Sequence, residues 1–273
     1  MVGNQESEEI TGGLNLSTYF NNFLKYKPLL SELTMRDIKT RYRRSVLGVF
    51  WSLLNPLCQM IVLSVVFSSL FRNDIENFPL YILSGQVIFN FFTESTSTAM
   101  SSIIGSSSLI KKAYIPKYLF VLSRILSSGV NVLASFAALI VVMLATHQEF
   151  HITIILAIIP IIFVVVFSSG VGLILASYAV KFRDIIHLYG VFITALMYMT
   201  PIIYPMSMLP ETVKKIVMLN PLTNMVIMFR NLALDGILPS MASILLALAE
   251  CIIVVVVGLY VFYKKQDSFI LNL

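Results

Sequence analysis

Six apolar segments, each long enough to cross a lipid bilayer as a helix, constrain the fold of this chain more than any other feature of its sequence. They cover residues 46–70, 80–104, 118–144, 152–180, 185–204 and 244–263. A bilayer-spanning helix needs about 20 mostly apolar residues, and it satisfies its own backbone hydrogen bonds within lipid. The sequence therefore predicts an all-α integral membrane protein whose six transmembrane helices lie within residues 46–263.

The scarcity of charged residues supports this fold class. Charged residues make up 12% and apolar residues 58% of the chain, whereas a soluble domain is about 25% charged and 45–50% apolar. So few charges cannot cover a water-facing surface of this size, which excludes a soluble enzyme and a disordered chain. We expect no nucleic-acid partner, because the net charge of +5 is better explained by a bias of Lys and Arg toward one side of a bilayer.

The basic residues are unevenly distributed across the six predicted spans. Fifteen of the 19 Lys and Arg residues fall on the side that holds both chain termini. The positive-inside rule then predicts that both termini lie in the cytoplasm. The first twenty residues are polar and acidic and show no cleavable signal pattern, which agrees with a cytoplasmic N-terminus. We divide the non-spanning ends into a polar tail at residues 1–22 and a cytoplasmic tail at residues 264–273.

Residues 23–45 are predicted to form an amphipathic helix at the cytoplasmic interface. Glu32, Arg36, Lys39 and Arg43 are spaced by four, three and four residues, which places them on one polar stripe of a helix. Apolar side chains lie elsewhere around the helix, as expected for a helix that rests on the membrane surface. A solvated helix that precedes the first span is the alternative.

Residues 206–236 contain two apolar stretches, 211–219 and 222–234, separated by Asn220 and Pro221. Each stretch is too short to cross the bilayer, and such lengths are typical of re-entrant or interfacial helices. Irregular backbone at membrane depth is tolerated only where protein or a water-filled cavity covers it. The segment therefore indicates a re-entrant region, which also contains Arg230; a surface hairpin that seals the helix bundle is the alternative.

The chain lacks the sequence motifs of nucleotide, metal and nucleophilic sites. It has no phosphate-binding G-x-x-x-x-G-K-[ST] loop, no H-E-x-x-H pair and no G-x-S-x-G turn, and its three histidines are scattered. We therefore predict no catalytic residue, no bound metal and no cofactor in this chain. Transport through such a chain would need energy from a separate subunit.

Glu94 and Glu250 lie inside predicted spans, where a carboxylate is costly and marks a functional site by default. Residues 91–98 surround Glu94 with five hydroxyl side chains, so this span faces protein or water. These hydroxyls fit either the polar lining of a translocation path or a small-residue packing face between helices. We interpret Glu250 as a neutral or paired structural carboxylate.

Several aromatic residues lie near the predicted span ends or within polar spans. They fit the aromatic belt at the membrane interface, or a ladder of rings that packs against sugar faces. With the polar residues of the second span they form the set of candidate channel-lining residues: Trp51, Phe89, Phe92, Glu94, Ser97, Tyr198 and Tyr204.

The order of motifs along residues 25–263 resembles that of the ABC type-2 permeases, and more narrowly the branch that exports polysaccharides such as O-antigen, capsule and teichoic acid. The resemblance begins at residues 36–48 (RDIKTRYRRSVLG), followed by Trp51 and residues 54–56. It continues at residues 109–116 (LIKKAYIP), 182–185 (FRDI), 200–205 (TPIIYP) and 219–221 (LNP), and at Arg230. The N-terminal tail lies outside it.

This resemblance implies a homodimer bound to two copies of a separate ATPase subunit, which would hold ATP and magnesium. A lipid-linked glycan would pass through a channel at the dimer centre, in the bacterial cytoplasmic (inner) membrane. Three basic segments would dock on the ATPase. Attraction to anionic lipid is an alternative explanation of their positive charge, and the Arg183–Asp184 pair could instead anchor the end of a span. The candidate coupling residues are Arg36, Lys39, Arg41, Arg43, Leu109, Lys111, Lys112, Pro116, Phe182, Arg183 and Asp184.

Three other functions compete with polysaccharide export. The broader family suggests export of a drug or another small hydrophobic molecule. A membrane-embedded enzyme acting on lipid-linked sugar would need clustered acid, base or metal-binding residues, which the spans lack. An autonomous channel would need a selectivity filter or a charged ring, and the sequence shows neither.

Overall fold

The computed structural model describes residues 16–43, 47–68, 75–112 and 115–272, and this part of the chain consists of helices and their connecting segments, without β-strands. The predicted tail up to residue 15, Arg44, the two ends of the first predicted span and residues 113–114 of the second basic segment lie outside the described residues. The α-helices are α1 (Leu16–Tyr42), α2 (Phe50–Phe67), α3 (Phe78–Met100), α4 (Ser102–Gly105), α5 (Ser107–Ile110), α6 (Tyr118–Ala145), α7 (Ile158–Ala179), α8 (Ile185–Tyr198), α9 (Glu211–Met218), α10 (Pro221–Arg230), α11 (Met241–Lys265) and α12 (Phe269–Asn272).

Four helical segments of the described chain are long and apolar enough to cross a membrane: Phe50–Phe67, Tyr118–Ala145, Ile152–Ala179 and Met241–Ser268. A fifth candidate is the pair Glu211–Met218 and Pro221–Asp235, whose two parts are bent by 94°. These helices confirm the prediction of an all-α membrane protein. The second and fifth predicted spans, which correspond to α3 and α8, are not among the four.

Helix α3 is long enough for a span but is more polar than the other candidates, which its central position in the bundle permits. Its 23 residues contact α2, α6, α7, α8 and α10, so much of its surface meets protein rather than lipid. Ser84, Gln86, Ser95 and Thr96 are all buried there. A helix enclosed by other helices needs no apolar face toward lipid, because its environment is supplied by protein. The low hydropathy of α3 therefore follows from its place at the centre of the bundle.

Helix α8 is apolar but short, with 14 residues and a length of about 21 Å. The chain leaves it at Met199 and turns through Pro201 toward α9. Thr200 stabilises this end: its hydroxyl donates to the Leu196 carbonyl at 2.7 Å and accepts from Asn220 Nδ2 at 2.9 Å. The predicted fifth span therefore contains a shorter helix followed by irregular backbone that is tied to the start of α10.

Helices α7 and α11 cross at two glycines and approach each other very closely. A Cβ atom on Gly170 would lie 2.6 Å from the carbonyl carbon and oxygen of Val254, and one on Gly258 would lie 2.5 Å from the carbonyl oxygen of Gly170. Small residues allow this backbone approach between helices in a membrane, where packing replaces the hydrophobic effect. The crossing joins the C-terminal helix to the rest of the bundle.

Helix α1 packs against α6 through a stripe that is not purely apolar. Leu30 and Leu33 are buried, and so is Asp37, which is 4% exposed. Asp37 accepts a hydrogen bond from Ser123 at 3.1 Å and pairs with Arg124 at 3.5 Å, both on α6. The helix begins at Leu16, before the predicted interface helix, and its buried stripe faces protein in this structure.

Candidate functional site

A groove runs along α2 and α3 and contains two adjacent cavities of about 480 Å³ and 430 Å³. We call them the α1-side cavity and the α8-side cavity, and together the α2–α3 groove. They share Gln59 and Asn90, so the groove is continuous between them. The α1-side cavity is lined by Arg41, Tyr42, Trp51, Ser52, Asn55, Gln59, Asn90, Thr93, Glu94, Ser97 and Asn131. The α8-side cavity is lined by Cys58, Gln59, Val62, Leu63, Gln86, Phe89, Asn90, Met197 and Ile202.

Helical periodicity explains why these residues line one groove. On α3, Gln86, Asn90 and Glu94 follow one another at intervals of four residues, and the same interval separates Asn55 and Gln59 on α2. Residues four apart lie on the same face of a helix. Asn90 Nδ2 donates to Gln59 Oε1 at 3.3 Å, and Gln59 Nε2 donates to Asn55 Oδ1 at 3.4 Å. Two polar faces therefore meet along the groove.

Glu94 is the centre of a polar network at the α1-side cavity. One carboxylate oxygen accepts from Arg41 at the end of α1, and the other accepts from Asn131 on α6. Tyr42 donates to Asn131 Oδ1 at 2.7 Å, and its hydroxyl lies 2.6 Å from Ser52 Oγ on α2. The end of α1 is thus bonded to α2, α3 and α6, and the charge of Glu94 is balanced by that of Arg41.

Two residues that line the groove each have a buried oxygen atom. Gln86 Oε1 at the α8-side cavity and Thr93 Oγ1 at the α1-side cavity have no hydrogen-bond partner within the described residues. Buried polar atoms are normally paired, and an unpaired one needs an explanation such as a ligand or ordered water. Because both atoms are themselves buried, the hydrogen-bonding capacity that the groove walls offer lies in the accessible amides of Asn55, Gln59 and Asn90.

Four of the predicted lining residues lie in the groove. Trp51, Glu94 and Ser97 line the α1-side cavity, and Phe89 lines the α8-side cavity. Trp51 is half exposed at 52%, so part of its side chain is accessible from the groove. The structure brings these four residues together from α2 and α3.

The other three predicted lining residues lie elsewhere. Phe92 is buried and packs on Phe167 of α7, with ring centroids 5.8 Å apart. Tyr198 is exposed at the end of α8, and the Tyr204 hydroxyl donates to its carbonyl at 2.8 Å. None of these three side chains is part of the walls of the two cavities.

The predicted coupling segments gather at one end of the bundle, which we call the basal face. It contains the C-terminal ends of α1, α3, α7 and α11 and the N-terminal ends of α6 and α8. Contacts across it join Asp37 to Ser123, Thr96 to Tyr189, Lys117 to the Gln266 carbonyl, and Lys265 to the ring of Tyr178. Because α4 and α5 connect the end of α3 to the start of α6, the segment with Lys111 and Lys112 also lies at this face.

Most candidate coupling residues are available for contact at the basal face. The exposed members are Arg36, Lys39, Arg43, Lys111, Lys112, Phe182, Arg183 and Asp184, whereas Leu109 and Pro116 are half-buried. Arg41 differs from the others because it turns inward to Glu94. The basal face is therefore predominantly basic, and one of its basic residues reaches the groove.

Arg230 is buried among backbone carbonyls near the α8-side cavity. It donates to the carbonyl oxygens of Pro201 at 2.6 Å and Tyr81 at 2.9 Å, and to Ser84 Oγ at 3.2 Å. Its guanidinium also lies 3.5 Å from the centre of the Tyr81 ring. This side chain fixes the turn after α8 against α3, which explains why a charged residue is retained in an apolar region.

The break between α9 and α10 is formed by Asn220 and Pro221. Asn220 Oδ1 accepts from the backbone N–H of Leu222 at 3.1 Å and so begins α10, while Pro221 occupies the first helical position. The 94° bend at this point gives the segment the shape of a broken span or a re-entrant loop.

Several groove residues were not singled out from the sequence, chiefly Asn55, Gln59, Gln86, Asn90 and Asn131. Their signal is weak but physical: Asn55 with Gln59, and Gln86 with Asn90, are amides spaced four residues apart within predicted spans, and Asn131 is an amide within the third. In lipid an isolated amide favours a partner on another helix. Glu250 shows no comparable partner on another helix: its Oε2 atom has no hydrogen bond in the part of the chain that the structure describes.

Comparison with known proteins places this geometry in context. Residues 28–234 match the family described as ABC-2 type transporter. The chain is 30% identical to the O-antigen export system permease protein RfbA of Klebsiella pneumoniae, over 88% of this chain and 93% of that protein. It is 26% identical to RfbA of Myxococcus xanthus, over 90% and 95%. It is 20% identical to the polysialic acid transport protein KpsM of Escherichia coli, over 91% and 97%.

Proposed function

Because this chain belongs to the ABC-2 type transporter family and to its polysaccharide-export branch, we propose that it is the transmembrane subunit of an ATP-driven exporter. Its substrate would be a lipid-linked polysaccharide of the O-antigen, capsule or teichoic acid type. The polymer would cross the bacterial cytoplasmic membrane, and a separate ATPase subunit would supply the energy.

The α2–α3 groove is the observation that carries the proposal. It places amides, hydroxyls and an ion pair along helices that are embedded in a membrane protein. Lipid tails cannot satisfy such groups, so polar walls at membrane depth require protein or water beside them. A polysaccharide is a substrate that needs such a surface, because its hydroxyls require donors and acceptors along the whole path.

A second copy of the chain would enclose the groove. The α8-side cavity lies between α2 and Met197 of α8. Both flanking helices expose large apolar side chains, with Val62 on α2 61% exposed and Val191 on α8 72% exposed. Paired about a two-fold axis, these faces would bury apolar surface at the rim and leave the polar floor as a channel wall. The homodimer with a central channel is therefore part of the proposal.

The energy would enter at the basal face. The sequence contains no phosphate-binding loop of its own, and the basal face presents exposed basic residues on three separate segments. Two copies of an ATPase subunit, each with ATP and magnesium, would dock there, one for each permease chain. Arg41 and Tyr42 join α1 to the groove, so a displacement of α1 by nucleotide closure would reach the cavity directly.

The membrane topology in this proposal keeps six spans. Helix α3 would cross the bilayer inside the bundle, and α8 would cross with the irregular segment that follows it. Helices α9 and α10 would form a re-entrant pair on the outer side, and α1 would lie at the cytoplasmic interface. Both termini would then be cytoplasmic, in agreement with the distribution of Lys and Arg.

The test is reconstitution with an ATPase encoded beside the gene for this chain. The chain alone should hydrolyse no ATP, and the complex should hydrolyse ATP faster when a lipid-linked glycan is added. A double charge reversal, Lys111→Glu with Lys112→Glu, should weaken association with the ATPase, while Lys214→Glu on exposed α9 serves as the control. Robust hydrolysis by the isolated chain, or stimulation by hydrophobic drugs but not by glycan, would contradict the proposal.

A further inference from the structure

The charges that line the α2–α3 groove cancel each other. Among the described residues, Arg41 and Glu94 are the only charged side chains in the walls of the two cavities. They form an ion pair with each other, and Asn131 donates to the second oxygen of Glu94. Neither charge is left free to pair with a ligand.

The remaining polar atoms of the groove are those of amides and hydroxyls. An amide offers two N–H donors and a carbonyl acceptor, so Asn55, Gln59 and Asn90 can each bond to a hydroxyl as donor or acceptor. Ser52 and Ser97 add hydroxyl groups to the same walls. A sugar hydroxyl both donates and accepts, and therefore matches this mixture of groups.

An anionic sugar would be poorly accommodated in the same groove. Entry into a membrane-embedded groove removes water from a carboxylate or phosphate, and this cost is recovered only if a cation pairs with it. Arg41, the one cation that lines the groove within the described part of the chain, already pairs with Glu94, whose own negative charge would repel the ligand. Each charged residue of a polyanion would meet this cost as it passed.

We propose that the α2–α3 groove selects an uncharged glycan, bound through hydroxyl–amide hydrogen bonds, over a polyanionic one. This inference rests on the proposed function, since it takes the groove as the glycan path and adds the class of glycan. It separates this chain from the relative named for the transport of polysialic acid, a negatively charged polymer.

The chain carries its own reporter for this binding. Trp51 is the single tryptophan of the sequence, and it lines the α1-side cavity with about half of its surface exposed. A glycan that enters the cavity changes the environment of this ring and therefore its fluorescence. The Trp51→Phe variant must lose the signal, which establishes that the signal comes from the groove.

The experiment titrates the full-length chain, in micelles of an uncharged detergent, with two probes of equal length: a neutral mannose oligomer and an oligomer of sialic acid. We expect saturable binding of the neutral probe and at least about tenfold weaker binding of the sialic acid probe. Glu94→Gln leaves Arg41 unpaired and should strengthen binding of the sialic acid probe by about tenfold or more. Asn55→Lys, at an exposed position of the groove, should act in the same direction without breaking the ion pair.

Two controls and three further outcomes complete the test. Glu211→Gln, on exposed α9, makes the same charge change as Glu94→Gln and should leave the affinities for both probes unchanged. The double variant Arg41→Gln with Glu94→Gln removes both charges and should restore the preference for the neutral probe. Equal or tighter binding of sialic acid by the unaltered chain would overturn the selectivity but leave polysaccharide export standing. Absence of any Trp51 signal, with glycan-stimulated ATP hydrolysis retained, would overturn the assignment of the groove alone. Absence of both the Trp51 signal and glycan-stimulated ATP hydrolysis would overturn the inference and the proposed function together.

Discussion

Replacing Gly170 by alanine tests the helix crossing that joins α11 to the bundle. The added Cβ would lie 2.6 Å from the carbonyl carbon and oxygen of Val254 and 2.7 Å from the nitrogen of Val255. These are backbone atoms, so no side-chain rotation can relieve the contact. Carbon atoms pack best at about 3.5–4.0 Å, and the two helices would therefore have to separate by about 1 Å at this point.

The expected cost follows from that separation. A radial gap of about 0.5–1 Å forfeits a quarter to a half of the dispersion energy of the atoms that it affects, and overpacking a tight interior typically costs about 1–3 kcal/mol. Alanine also favours helix over glycine by about 1 kcal/mol, which offsets part of the loss. We expect Gly170→Ala to lower the free energy of unfolding by up to about 2 kcal/mol, and by about 1–3 kcal/mol relative to a glycine-to-alanine change that has the same helix gain without the clash.

The matched control is Gly190→Ala on α8, where an added Cβ meets no atom within 4 Å. It receives the same helix-propensity gain without the clash, so it should be neutral or slightly stabilising. Thermal unfolding in detergent, followed by circular dichroism, should give a lower midpoint for Gly170→Ala and an unchanged or higher one for the control. Equal midpoints for the two variants would refute the close crossing of α7 and α11.

Three further predictions address other contacts. Arg230→Gln should lower the unfolding midpoint relative to the unaltered chain, because buried carbonyls lose their donors at about 1–3 kcal/mol for each unpaired group; an unchanged midpoint would contradict the assigned role. Asp37→Asn should loosen α1 from α6 and speed its cleavage by trypsin at low enzyme concentration, whereas Glu32→Gln on the exposed face should not. A membrane-impermeant maleimide should modify Cys58, which is exposed in the groove, much faster than buried Cys251, and equal rates would indicate that water does not enter the groove.

The all-helical membrane architecture could be predicted from sequence because apolar runs of this length have few other stable structures. Phe50–Phe67, Tyr118–Ala145, Ile152–Ala179 and Met241–Ser268 all fall within segments predicted to span, apart from short extensions at their ends. The polarity of α3 could be recognised, but its cause could not. Whether hydroxyls line a path or pack between helices depends on which neighbours surround the helix, and that information is tertiary. In the structure the hydroxyls have both positions: Ser95 is buried within the helix bundle, and Ser97 lines the groove.

The partners of the groove residues were also beyond sequence reasoning. Glu94 stood out as a carboxylate in a span, but Arg41 and Asn131 come to it from positions far apart in the chain. Arg41 belongs to a run of basic residues whose other described members are exposed, so its inward orientation has no distinct sequence signal. In the sequence, Arg230 is marked only by its place in a family pattern, because some of the carbonyls that it binds belong to the irregular turn after α8.

The contacts of α1 indicate how a force at the basal face would be transmitted. Asp37 holds α1 to α6 through Ser123 and Arg124, so these two helices are expected to move together. The bonds from Arg41 to Glu94 and from Tyr42 toward Ser52, by contrast, link this pair to α3 and α2 across the α1-side cavity. A displacement that moved α1 and α6 away from α2 and α3 would break the second set of bonds and preserve the first. Because Asn131 of α6 bonds to both Glu94 and Tyr42, it can stay with Tyr42 when Glu94 is released, which leaves the freed carboxylate facing the cavity.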